Sequence, residues 1–106
     1  MTIPEISVQE LEALRNADPD LFILDVRNQD EYDICHLKGY LIPLNQLPTR
    51  LNELNKEAHI VVHCHAGGRS RRATEFLLQQ GFKRVFNLRG GITAWANEID
   101  PKMAKY

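Results

Sequence analysis

Two stretches of this chain, LFILDV at residues 21–26 and HIVVHC at residues 59–64, carry almost no polar interruption. A strand with one wet face alternates apolar and polar residues, and these do not. They read as strands covered on both sides, the condition of a parallel sheet packed between helices. The intervening segments fit that frame. Ser7 reads as an N-cap with Glu10 at the capping-box spacing, followed by a helical stripe of Val8, Leu11 and Leu14 over residues 8–16. Asp18-Pro19-Asp20 is a turn. One helical turn is expected near residues 30–32, and a short strand at 40–43 stopped by Pro43. Leu44, Leu47, Leu51 and Leu54 carry a helical period, with Pro48 in a first turn. A helix over residues 70–80 closes at Gly81. Short strands are expected at 3–7 and 84–88, and a short helix follows Gly90-Gly91 over 92–95. Strand and helix alternate throughout, so the fold class is α/β with a mainly parallel sheet and right-handed crossovers.

The 106 residues are expected to form a single domain, residues 1–106, able to bury a core without disulfides or metal. A formal net charge of -1 gives no global pull toward nucleic acid or membrane. No basic leader, and no apolar run near the ~18 residues of a membrane span, is visible. The expected location is the cytoplasm, where Cys35 and Cys64 stay reduced.

Cys64 falls at the carboxyl end of the strand HIVVH, where parallel α/β sheets place their ligand sites. The loop that follows is HAGGRS. Gly67 and Gly68 permit positive φ and inward-turned amides, which make an anion nest. The start of the next helix and the permanent charge of Arg69 add positive potential. Such surroundings lower a cysteine pKa from about 8.5 to roughly 3.5–7.5 and expose a thiolate nucleophile. The same cradle suits a persulfide anion. The spacing is Cys-x4-Arg, one residue shorter than the Cys-x5-Arg phosphatase loop that encloses a tetrahedral phosphate. A smaller ring favours a smaller guest, a single outer sulfur, over the phosphatase or arsenate reductase alternative.

Four segments, in order, now carry a resemblance: CHAGGRS, LDVRNQDEY, CHLKGYLIPL and NLRGGITAW. Over nearly its whole length the chain resembles the rhodanese family of sulfurtransferases. The resemblance implies a rhodanese-like α/β fold with a central five-stranded parallel sheet and helices on both faces. It implies a thiosulfate sulfurtransferase-type activity, in which Cys64 takes a sulfane sulfur as a persulfide and passes it to a thiophilic acceptor. By the loop match, His65, Ala66, Gly67, Gly68, Arg69 and Ser70 bind the substrate. Asp25, Arg27 and His36 fall in matching segments as supporting residues. No cofactor beyond the covalent persulfide and no metal is implied. EYDICHLKG and the ending AWANEIDPKMAKY look like the rhodanese domains fused to molybdopterin- and thiamine-type adenylyltransferases. Thiosulfate, a cysteine desulfurase, an adenylyltransferase and a small sulfur-carrier protein are thus the expected partners. Lys38 and Tyr40 depart from the family's usual Pro and Ala. Position 65 is His where many active relatives carry Lys or Arg, a loss of charge that would weaken use of an anionic donor.

The remaining residues have plainer readings. Arg71 and Arg72 are spaced to pair with Glu75 along the helix. Three arginines within four positions at a helix start oppose its dipole, which an anionic substrate or acidic tail would offset. His63 and Cys64 are neighbours on a strand and should point to opposite faces, which argues against zinc. Cys35 is expected to be a small buried residue, with a resolving thiol as the other reading. Asp25 and Arg27 are placed to pair with each other or with the loop. The competing function is a non-catalytic, regulatory rhodanese-like module that binds a partner.

Overall fold

The computed structural model describes residues 2–106. Five strands, β1 (Glu5–Ile6), β2 (Phe22–Asp25), β3 (Tyr40–Leu41), β4 (His59–His63) and β5 (Arg84–Leu88), form one sheet in the order β1-β5-β4-β2-β3. Every pairing is parallel. The two apolar runs are therefore adjacent, with Leu24 opposite Val62, near the middle of the sheet. Four α-helices cover it: α1 (Val8–Ala17), α2 (Gln29–Ile34), α3 (Gly68–Gln79) and α4 (Gly91–Glu98). Among the described residues no helix is long and apolar enough to cross a membrane.

Alternation along the strands sorts the core into two layers. Leu24, Val26, Ile60, Val62, Cys64 and Val85 pack with Ala73 and Leu77 of α3 and with Leu47. Val61 and Leu88 pack on the other side with Val8 and Leu11 of α1 and with Ile92 and Trp95 of α4. Cys64 thus continues the Ile60–Val62 face and emerges under α3. His63 and Asp25, register partners, lie on the opposite face.

The Ser7 capping box forms as the sequence implies. β1 and β3 are shorter than the expected 3–7 and 40–43, and the helical turn near 30–32 extends over Gln29–Ile34. Three larger departures bear on the architecture. The Leu44–Leu54 stretch is not an α-helix but two 3₁₀ segments, Leu44–Thr49 and Leu51–Glu53. Pro48 has no N–H for the ladder, Arg50 breaks the run at φ -120, and the bonds made are the tighter Arg50 N–H to Leu47 O and Leu54 N–H to Leu51 O. α4 runs to Glu98, a turn further than the short helix expected. α3 begins at Gly68 rather than Ser70, with Gly67 in the left-handed conformation (φ 115) as N-cap. The glycine-rich loop is therefore already the first turn of the helix, and the unpaired amides of that turn sit beside Cys64.

Candidate active site

Cys64 is buried, with 1% of the residue exposed. Two amides donate to its sulfur, Gly67 at 3.1 Å and Ser70 at 3.4 Å, and the Ser70 hydroxyl oxygen lies 3.4 Å from it, a contact in which either atom can donate. Burial pushes the thiol up. The Ser70 hydroxyl and the amides of Ser70, Gly67 and Arg69 together outweigh burial and hold it below the ordinary thiol value. These donors exist because Gly67 turns the chain so that α3 starts immediately above the sulfur.

α4 fixes the other side of the loop. Ile92 N–H donates to Cys64 O at 3.0 Å, and Thr93 donates to His65 O from its amide at 3.0 Å and its hydroxyl at 2.8 Å. In a planar trans peptide the N–H points opposite to the C=O, so the His65 and Ala66 amides turn away from α4. Gly91 makes this docking possible. It has φ +60, and a Cβ there would lie 2.5 Å from His65 O and 2.7 Å from Cys64 O. Gly91→Ala is expected to cost roughly 1–3 kcal/mol as α4 is forced off the loop, read as a lower urea midpoint together with slower alkylation of Cys64. An unchanged midpoint would show that the loop tolerates the extra methyl.

Arg69 does not stand as a free charge at the rim. Its guanidinium forks onto Glu31, Nη1 to Oε1 at 2.7 Å and Nη2 to Oε2 at 2.8 Å. The pairing holds the Glu31 carboxyl, otherwise raised by burial, down to about 2. A carboxylate depressed in the folded state contributes stability that is present above its unfolded value of 4.5 and is lost as pH falls through about 2. Glu31→Gln should flatten that part of the profile. Urea midpoints between pH 6 and pH 2 would read it, and parallel curves for the two proteins would refute it.

At the carboxyl end of β2, next to β4, lies a buried ion pair. Asp25 and Arg27 are both fully buried, with Arg27 Nη2 at 2.6 Å and Nε at 2.9 Å from Asp25 oxygens. The same guanidinium donates to Cys35 O at 2.8 Å, Glu31 O at 3.2 Å and the Tyr106 hydroxyl at 3.0 Å. Tyr106 donates onward to Glu31 Oε2 at 2.9 Å, and its ring stacks on His65 with centroids 4.2 Å apart. His65 is therefore held against Tyr106 rather than beside the sulfur. His63 is fully buried, and its Nε2 has no hydrogen-bond partner among the described residues, with Asp25 Oδ2 3.6 Å away.

The sequence-derived residues sort accordingly. Cys64, Gly67 and Ser70 converge at the sulfur, and Ala66 and Gly68 lie exposed on the loop. Asp25 and Arg27 pair, as one of the two readings had it. His36 is not brought to the loop: it is exposed, stacks on Tyr32 at 4.3 Å and accepts the Lys38 amide. Arg71 does not meet Glu75 but lies 3.8 Å from Glu5 on β1, and Arg72 makes no ion pair among the described residues. Glu31, Asn87 and Tyr106 were missed. Glu31 had a local signal, the Asn28–Glu31 capping spacing, but nothing in its neighbourhood pointed to Arg69.

A five-stranded parallel α/β sheet whose central strand ends in a short amide-lined cysteine loop defines a thiol-loop α/β protein. The chain belongs to the rhodanese-like domain family, whose model matches residues 7–98. It is 39% identical over 100 residues to a putative sulfur carrier protein of Bacillus subtilis, covering 93% of this chain and 54% of that protein. The chain thus spans about half of that relative's length. It is 35% identical over 103 residues to a sulfurtransferase of Allochromatium vinosum, covering 96% of each. The crystal structure of a rhodanese-like domain protein from Staphylococcus aureus superposes with a TM-score of 0.84 at 30% identity, over 92% of this chain and 95% of that one.

Proposed function

We propose that this protein is a rhodanese-type sulfurtransferase that moves a sulfane sulfur through a persulfide on Cys64. The observation that carries the reading is the convergence of the Gly67 and Ser70 amides and the Ser70 hydroxyl on a buried thiol. In the first step the Cys64 thiolate attacks the outer sulfur of the donor. The new S–S bond forms as the donor's own bond to that sulfur breaks, and the leaving group departs with the electron pair, as sulfite from thiosulfate or a thiolate from a protein persulfide. In the second step an acceptor nucleophile takes the outer sulfur and Cys64 leaves as thiolate. Each transfer is balanced without an external oxidant or reductant. The amides of the loop stabilise the anion on either side of the exchange. His65, Ala66, Gly67, Gly68, Arg69 and Ser70 line the path of the incoming sulfur, with Asp25 and Arg27 holding the neighbouring α2 segment through the carbonyls of Glu31 and Cys35.

The loop presents amides where a cationic side chain would grip thiosulfate, since Arg69 is held by Glu31 and His65 by Tyr106. A protein persulfide is therefore the favoured donor, and a small carrier protein whose own cysteine thiolate attacks the outer sulfur is the favoured acceptor class. The names of the Bacillus and Allochromatium relatives support sulfur relay as the setting. Mass spectrometry after incubation with thiosulfate, or with a cysteine desulfurase and cysteine, tests this directly. One added sulfur on Cys64, gained faster from the protein donor, is the expected result. No added sulfur under conditions that load a control rhodanese would favour a non-catalytic binding module.

A further inference from the structure

The hydroxyl of Ser70 has one proton and faces three acceptors. Asn87 Oδ1 is nearest at 2.5 Å, Gly67 O is at 3.2 Å and Cys64 Sγ at 3.4 Å. Ser70 is fully buried and Asn87 2% exposed, so the contest is decided inside the protein. Asn87 reaches Ser70 because it lies two residues after Val85 on β5 and shares the face that packs on α3. Its amide orientation follows from its other partner. Nδ2 donates to Glu5 Oε2 at 3.0 Å, a carboxylate oxygen that only accepts, so Oδ1 turns to Ser70. Glu5 and Asn87 are register partners across β1 and β5, which places the two side chains side by side. The charged and titratable groups around this line are Arg71 and Arg89 beside Glu5, and Arg69 with Glu31 and His65 on the loop side.

We propose that Asn87 is a positioning residue for Cys64, steering the Ser70 hydroxyl. While Cys64 is a thiol, Asn87 Oδ1 takes the Ser70 O–H, and the S–H donates to the freed lone pair of Ser70 Oγ. When the sulfur becomes an anion, as thiolate or persulfide, the hydroxyl rotates about its C–O bond and donates to the sulfur instead. No proton leaves Ser70 in this change. Asn87 thus competes with the anion for one donor and limits how tightly the loop holds it. A thiolate stabilised too strongly is a weaker nucleophile, so the competition keeps Cys64 reactive. The inference builds on the sulfur-transfer reading for its use, but the geometry concerns the thiol alone.

The test is the pH dependence of Cys64 alkylation by iodoacetamide, in the 106-residue chain carrying Cys35→Ser so that one thiol reports. Asn87→Leu removes the competing acceptor. Its alkylation midpoint should fall, and its rate below the midpoint should rise about threefold to tenfold, the worth of one hydrogen bond. Ser70→Ala should raise the midpoint, and in that background Asn87→Leu should change nothing beyond about twofold. A rate for Asn87→Leu equal to or below the parent, or a gain that survives in Ser70→Ala, overturns the proposal. If Asn87→Leu does not fold, Glu5→Ala takes its place: the released amide can turn its N–H toward Ser70, and the same gain should appear and the same Ser70 dependence should hold. A gain that persists without Ser70 would reflect only the lost Glu5 charge and overturns the proposal as well. No sulfur donor enters these measurements, so a protein that fails to load sulfur would defeat the function proposed above and leave this result standing.

Discussion

Cys64→Ser protein is expected to take up no sulfur from any donor and to lose at least roughly three orders of magnitude of thiosulfate:cyanide turnover. The substitution keeps an acceptor atom where the Gly67 and Ser70 amides converge, so the loop and the fold should survive. What it removes is the ionisable sulfur. A serine hydroxyl is not lowered into the physiological range by three hydrogen bonds, and an oxygen nucleophile attacks sulfane sulfur poorly. Urea unfolding within about 1 kcal/mol of the parent would assign the loss to chemistry rather than folding. Cys35→Ser is the companion variant. Cys35 is buried, and its contact with Arg27 runs through the backbone carbonyl, so loading on Cys64 should be retained. Sulfur uptake by the Cys64→Ser protein would move the nucleophile elsewhere and sink the assignment.

The largest effect on stability is expected from Arg27→Met. It leaves the Asp25 carboxylate fully buried with only the residue 27 backbone amide as donor, takes the guanidinium from Cys35 O, and leaves Glu31 O with the Cys35 amide alone. Breaking one side of a buried pair costs about 3–5 kcal/mol, a large share of the roughly 5–15 kcal/mol that holds such a chain folded. The melting midpoint should fall by more than about 10 °C. Asp25→Leu combined with Arg27→Met removes both charges and should be less destabilised than Arg27→Met alone, because no lone charge is left inside. A double variant at least as unstable as the single one would show that the carbonyl contacts, and not the ion pair, carry the cost.

How much of this was legible in the sequence follows from how local each feature is. The LFILDV and HIVVHC runs signal the sheet centre because burial on both faces is recorded residue by residue. The cysteine loop is legible for the same reason: nucleophile, glycines and helix start lie within seven positions. Misreadings gather where a local pattern has two solutions. The leucines at 44, 47, 51 and 54 satisfy a 3₁₀ turn as well as an α-helix, and Pro48 with Arg50 decides for the former. Arg71 had a plausible partner in Glu75 one turn away, yet the β1 edge offers Glu5 in space. The Arg69–Glu31 fork and the Tyr106 contacts bring together residues from distant parts of the chain, and no periodicity or spacing encodes them. They pair the charge of Arg69 with a carboxylate, which the loop's own composition does not reveal.

The docking of α4 on the carbonyls of Cys64 and His65 has a consequence for the order of assembly. The nucleophile is made before residues 91–93 have left the ribosome, but the amides that brace its loop are not yet available. The donors to the sulfur itself come from residues 67–70, so α4 adds no donor to the thiol. What its docking adds is a clamp on two loop carbonyls, so the peptide planes that follow Cys64 and His65 are fixed only once residues 91–93 are in place.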